Sequence, residues 1–306
     1  MSEVTVPVWA SFFDAEAWTL FTTLVEEGVR RRNMEPRWFD QSSAVEFDHP
    51  ERGTLKMGLS NLAQMLHQVP DRSEWKRMIG HHLRVFFASL DEVEELKQSA
   101  FAEAKDELKV RLYPSVQITD DVPVISLPVM PGIVAVLARD LPDSVVTVDR
   151  DQAKSWGLEE RDLFALALHN TLTDDVTQEV ITLEDGVKVV AWTGDSFFVA
   201  SRVLALERWL ENPAGAFVVI PNRHLALFHP IEDGNAVQAM YDLWAMAQQP
   251  FKEGPGSLSG ELFHWTPGRF IHVPVVIDEV AESMSVEPPQ EVVAALQLVL
   301  GPELEA

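Results

Sequence analysis

The spacing of apolar residues changes period along the chain, and those changes divide it. Trp18, Phe21, Val25 and Val29 fall at i, i+3, i+7 and i+11, one face of a helix for which Asp14 is the N-cap. Arg30, Arg31 and Arg32 follow in its last turn, where cations suit the helix dipole. Trp38 to Asp48 and Thr54 to Gly58 read as strands, turned at His49, Pro50 and Gly53. Ser60 to Gln68 reads as a short helix that stops before Pro70. Asp71-Arg72-Ser73-Glu74 fits a capping box, with Glu74 reaching back, ahead of an apolar stripe of Trp75, Met78, Ile79, Leu83, Phe86 and Phe87. These signals predict a small helix–strand–strand–helix domain over residues 1–90. Residues 91–108, rich in Glu, Lys and Ala, read as an exposed connecting helix.

From residue 109 to 306 the strand signal is denser. Lys109 to Leu112, Ile133 to Leu137 and Val145 to Val148 read as strands, the last two separated by a turn at Asp140-Leu141-Pro142-Asp143. The apolar run Val122 to Ala138 is broken by Pro123, Pro128, Pro131 and Gly132, which points to buried β structure. Trp156-Gly157 precedes a helix from Glu159 to about Leu172. Gln178 to Leu183 and Val187 to Trp192 flank Glu184-Asp185-Gly186, a strong hairpin signal. A helix is expected from Ala200 to Leu210, then a strand pair, Ala216 to Ile220 and Leu225 to Phe228, around Pro221-Asn222-Arg223-His224. Asn235 to Gln248 reads as a helix, Lys252 to Gly260 as a loop, Phe263 to Val273 as two strand pieces and Gln290 to Leu300 as a final helix. Strands and helices come in clumps rather than alternating. The prediction is therefore an α+β fold, the larger domain being a mixed or antiparallel sheet with packed helices.

Composition narrows the functional classes. The acids number 48 against 24 Lys and Arg, a formal charge of −24. Such a field repels nucleic acid and anionic headgroups, so neither is an expected partner, and it favours a basic protein partner. There is no cysteine, which removes disulfides, thiolate metal sites and cysteine nucleophiles. No apolar run approaches the ~20 residues of a membrane span and no signal peptide opens the sequence, so a cytoplasmic location is expected.

Candidate chemistry is sparse. None of the nine histidines sits in H-E-x-x-H or pairs with another at i, i+4, and no metal site is predicted. His82 reads as a packed histidine, and His224 and His229, five apart on a strand pair, should face opposite sides. There is no Walker A and no G-x-G-x-x-G, and no cofactor is expected. Asp120-Asp121, Asp140 with Asp143, and Asp174-Asp175 read as solvated turns. Ser201 is the best-placed serine for nucleophilic chemistry, yet it lacks the Gly-x-Ser-x-Gly elbow and equally suits a helix start. Asp195, Arg202 and Arg223 are charges set beside very apolar segments, with Asn222 and Arg223 at a turn. Arg223 there suits either a buried ion pair with Asp195 or Glu207, or recognition of a carboxylate or phosphate.

Gly194-Asp195-Ser196-Phe197-Phe198-Val199-Ala200-Ser201-Arg202, then Pro221-Asn222-Arg223, with Trp156-Gly157 and Ala167-Leu168-His169-Asn170 upstream, resembles the functionally undescribed YtpQ-type bacterial family over residues 110–265. The front half, through Leu59-Ser60-Asn61-Leu62-Ala63-Gln64, Trp75 and His81-His82-Leu83, resembles hypothetical proteins of high-GC bacteria. The resemblance implies a bacterial cytoplasmic protein and no reaction. The expectation is a non-catalytic interaction or regulatory protein. A hydrolase or small-ligand sensor is the alternative, with Asp195, Ser201, Arg202, Asn222, Arg223 and Trp156 as the residues to examine.

Overall fold

The computed structural model describes residues 5–39, 42–96, 98–118, 122–142, 144–278 and 283–301. Met1 to Val4, Asp120-Asp121 and Asp143 lie outside the described residues. The chain is α+β and divides into two compact units, Met1–Leu96 with Glu253–Gly256, and Lys97–Lys252 with Ser257–Ala306.

In the first unit, α1 (Ala15–Arg30) starts where Asp14, in extended backbone, accepts the Ala17 N–H at 2.6 Å. Strands β1 (Arg37–Trp38), β2 (Ala44–His49) and β3 (Gly53–Gly58) form an antiparallel sheet in that order. Helices α2 (Ser60–His67) and α3 (Trp75–Leu96) complete the unit. Phe21, Val25 and Val29 of α1 bury against Phe47, Met57, Trp75, Ile79 and Leu83, so the helical stripe and the alternating strand positions meet in one core. The arginine run ends α1: Arg30 and Arg31 pair with Glu26 and Glu27 one turn back. Of the expected capping box only half forms. Asp71 accepts the Ser73 N–H at 2.9 Å, while Glu74 turns outward to Arg77. The expected connecting helix over 91–108 is not one element. Its first residues prolong α3 to Leu96, α4 (Phe101–Ala104) is a single turn, and a strand begins at Leu108.

The second unit pairs two antiparallel sheets. Strands β4 (Leu108–Pro114), β5 (Ser126–Met130), β6 (Ile133–Asp140) and β7 (Val145–Thr147) form one, in the order β4-β6-β5 with β7 also on β6. Helices α5 (Arg150–Ser155) and α6 (Glu160–Thr171) follow. The other sheet uses β8 (Thr177–Thr182), β9 (Lys188–Thr193), β10 (Ala216–Asn222) and β11 (Leu225–Pro230). Beyond α7 (Asn235–Glu253) it takes β12 (Leu262–Thr266) and β13 (Arg269–Val273), in the order β13-β12-β10-β11-β9-β8. A hairpin of β14 (Val275–Asp278) and β15 (Ser283–Val286) and the helix α8 (Gln290–Leu300) close the unit. The β8–β9 hairpin turns at Gly186, whose φ of 92° only glycine adopts freely.

Central strand β10 explains the layering. All seven of its residues are buried. Ala216, Val218 and Ile220 point into a core shared with Leu108, Val110, Leu112, Ala135 and Leu137 of the smaller sheet. Phe217 and Val219 point the other way, onto Ala239, Met240 and Leu243 of α7 and Val292 and Leu296 of α8. The expected helix over Ala200 to Leu210 is instead a 3₁₀ segment, Ala200–Arg208, broken at Ala205 (φ −128°, ψ 32°). Ala200, Val203 and Leu206 share a core with Leu163, Phe164 and Ala167 of α6. Among the described residues no helix is long and apolar enough to cross a membrane.

Candidate functional site

The β10–β11 turn gathers the polar groups of the second unit. Register slips between Val219 and Asn222, which leaves Arg223 and His224 as the two turn residues. Asn222 fixes the turn from both ends of its side chain. Its Oδ1 accepts the His224 N–H at 2.9 Å and its Nδ2 donates to the Pro250 carbonyl at 3.1 Å. The Arg223 carbonyl accepts the Ala200 N–H, tying the turn to the start of the 3₁₀ segment. The backbone that carries Arg223 is therefore held at three points before its side chain makes any contact.

Arg223 is only 7% exposed. Its guanidinium lies 4.0 Å from the centroid of the Phe197 ring, a cation–π contact. Nε–H donates to His224 Nε2 at 3.0 Å, and His224 Nδ1 lies 3.1 Å from the Gly194 carbonyl. An arginine cannot accept and a carbonyl cannot donate, so His224 is the neutral tautomer with its proton on Nδ1. Gly194 is closely packed on its Cβ side. A Cβ there would stand 3.2 Å from Val199 Cγ2 and 3.3 Å from the Asp175 carbonyl. Burial first, then the Arg223 charge, depress the His224 pKa below its usual value.

Among the described residues no carboxylate pairs with Arg223, and its Nη1 and Nη2 make no hydrogen bond. Burial, then the neighbouring Arg111, push its pKa down to about 10. Arg111, half-buried on β4, stacks 4.7 Å from Tyr113 and 6.0 Å from Phe197, and it too has no carboxylate partner among the described residues. The residue is buried as a whole, yet neither terminal nitrogen is sealed from solvent. The surroundings make it more unusual, since residues 97–306 hold 32 acids against 14 Lys and Arg. Two arginines converge on one aromatic ring where counter-charges are plentiful, and none of the described residues supplies one.

The other predicted residues separate into different roles. Asp195 is exposed and reaches His224 only through its field, so the ion pair expected between Arg223 and Asp195 or Glu207 does not form. Arg202 is clamped. Its Nη1 donates to the Leu172 and Asp174 carbonyls at 3.2 Å each, where α6 ends, and its guanidinium lies 4.7 Å from Trp209 and 5.6 Å from Trp192. Ser201 is buried, its N–H on the Phe198 carbonyl, and no histidine hydrogen-bonds to it among the described residues. Trp156 stands apart, its indole N–H on the Ser99 carbonyl and its ring 5.8 Å from Phe101. Nearby, Lys109 is fully neutralised by Asp174 and Asp140, and Asp174 also accepts the Ser196 hydroxyl at 2.6 Å.

Arg111, Tyr113, Phe197 and His224 belong to the cluster and carried no role in the sequence reading. The signal for the first two was alternation: Lys109, Arg111 and Tyr113 occupy one face of β4, while Leu108, Val110 and Leu112 face the core. Comparison of the chain with protein-family models, with curated proteins and with solved structures finds no match.

Proposed function

We propose that this chain is a non-catalytic sensor whose second unit binds an anionic group, a carboxylate or phosphate, between Arg223 and Arg111. The observation that carries this reading is the unpaired, buried guanidinium of Arg223, held in place by His224 and Phe197 and left without an acid in an acidic unit. A planar fork with two free nitrogens suits a two-oxygen ligand. His224 serves as a positioning residue, since its neutral Nε2 fixes the guanidinium plane. Tyr113 and Phe197 supply apolar walls that strengthen the charge interaction by displacing water. The alternative hydrolase reading has no support in the surroundings of Ser201. The expected basic protein partner rests on net charge alone.

Calorimetric titration at constant ionic strength tests the proposal. Phosphate or a di- or tricarboxylate such as citrate should bind saturably to the wild type, and Arg223→Gln should lose at least tenfold in affinity. If neither anion binds above the level seen with chloride, the proposal fails. Comparison of phosphate with citrate separates the two anion types.

A further inference from the structure

The first unit carries an aromatic cleft of about 300 Å³, and three of its walls are Trp18, Trp38 and Phe39. The two indole rings stand 6.0 Å apart at 69°, forming a corner rather than a stack. Both tryptophans are only half-buried, and Phe39 is 51% exposed. The corner is braced. Trp9 meets Trp18 edge-on at 5.4 Å, and the Trp38 indole N–H donates to Glu26 Oε1 at 3.1 Å. The Glu26 carboxylate, whose other oxygen takes Arg30 at 2.9 Å, lines the same cleft, with the Thr22 and Ser42 side chains beside it.

Grouped, exposed aromatics cost solubility and mark binding surfaces when a brace holds them open. The sign of the ligand follows from the walls. Indole faces present negative potential, a carboxylate shared with Arg30 lies among them, and residues 1–96 hold 16 acids against 10 Lys and Arg. An alkylated ammonium is both cationic and greasy, so it gains from ring faces and loses little on leaving water. A compact primary ammonium, more strongly hydrated, gains less. We infer that this cleft is a cation-recognition site for a methylated ammonium group, carried either by a small quaternary amine or by a methylated lysine side chain. It is independent of the anion site, since every residue that forms it lies in the other unit.

The test uses the full chain and tryptophan fluorescence. Choline and its neutral isostere 3,3-dimethylbutan-1-ol have the same shape and differ in charge, so the comparison needs no variant. Choline should quench or shift the emission saturably, with roughly tenfold higher affinity than the isostere. Trp38→Leu should abolish the response, and Trp38→Phe should retain it weakly, which guards against a folding defect. Glu26→Gln keeps the bond to Trp38 and should weaken choline by about threefold. A trimethyllysine peptide outbinding both choline and its unmethylated form would assign the source to a protein; choline binding at least as well would assign it to a small amine. Equal affinity for choline and the isostere, or no saturable response to any methylated ammonium, overturns the inference.

Discussion

Two arginines close together in sequence space and tied to the same 3₁₀ segment have opposite surroundings. Arg202 lies against two indoles and donates to two carbonyls at the end of α6. Arg223 lies against one phenyl ring and donates through Nε to a histidine, with both terminal nitrogens unpartnered among the described residues. Burial lowers the pKa of both. The first spends Nη1 on two carbonyls just past α6, while its Nε is buried without a hydrogen-bond partner among the described residues. The second commits only Nε and leaves both Nη atoms open to solvent. Burial and charge alone do not distinguish a structural arginine from a binding one; the fate of the Nη atoms does.

The largest expected effect follows from breaking the first of these. Arg202→Met should destabilise the second unit by about 2–4 kcal/mol, because it strips the donor from two carbonyls and the guanidinium from beside the Trp192–Trp209 pair. Hydrogen exchange of the β10 amides would measure it in that unit alone. Arg223→Met should do the reverse, leaving the free protein unchanged or stabilised by about 1 kcal/mol while removing the anion response.

Acid sharpens the same contrast through His224. Its pKa is depressed in the folded chain, so the unfolded chain binds the proton more readily below the ordinary histidine value of about 6.5. Stability is therefore fully present above that pH and falls as pH drops toward the depressed folded value. His264 in the same unit, depressed first by burial, acts in the same direction. His224→Gln should flatten part of this acid loss in β10 exchange, and should loosen anion binding at pH 7.5 by misaligning Arg223. The smallest effect belongs to Arg111→Gln. Because Arg111 is only half-buried and makes no bond to the fold, stability should not change and anion affinity should fall by a few-fold, by calorimetry.

Most of the fold was legible because its signals are local. The Asp14 cap, the stripe of α1 and α3, the Asp185-Gly186 hairpin and the apolar strands around β10 all formed as their patterns predicted. The misses lie where tertiary packing decides. The segment Ala200–Arg208 has a helical composition and folds as 3₁₀ under core constraints, and α3 absorbs residues that looked like a linker. β14 and β15 gave no turn signal strong enough to be read. The candidate site was legible in part. Asn222 and Arg223 stood out because Asn tolerates unusual turn angles and the charge of Arg223 is set beside very apolar strands. Arg111 and Tyr113 did not, because they reach Arg223 from a strand more than a hundred residues away, and no local period encodes that meeting. Whether Arg223 would find a carboxylate was likewise a question of distant side chains.

The central claim is that Arg223 is held for a ligand rather than for the fold. Hydrogen exchange of the β10 amides in wild type and Arg223→Met, each with and without saturating citrate, tests it most directly. The account predicts equal or slower exchange in the free variant, and slowing by citrate in the wild type only. Faster exchange in the free variant, by the equivalent of about 2 kcal/mol or more, together with an identical response to citrate in both proteins, would contradict it.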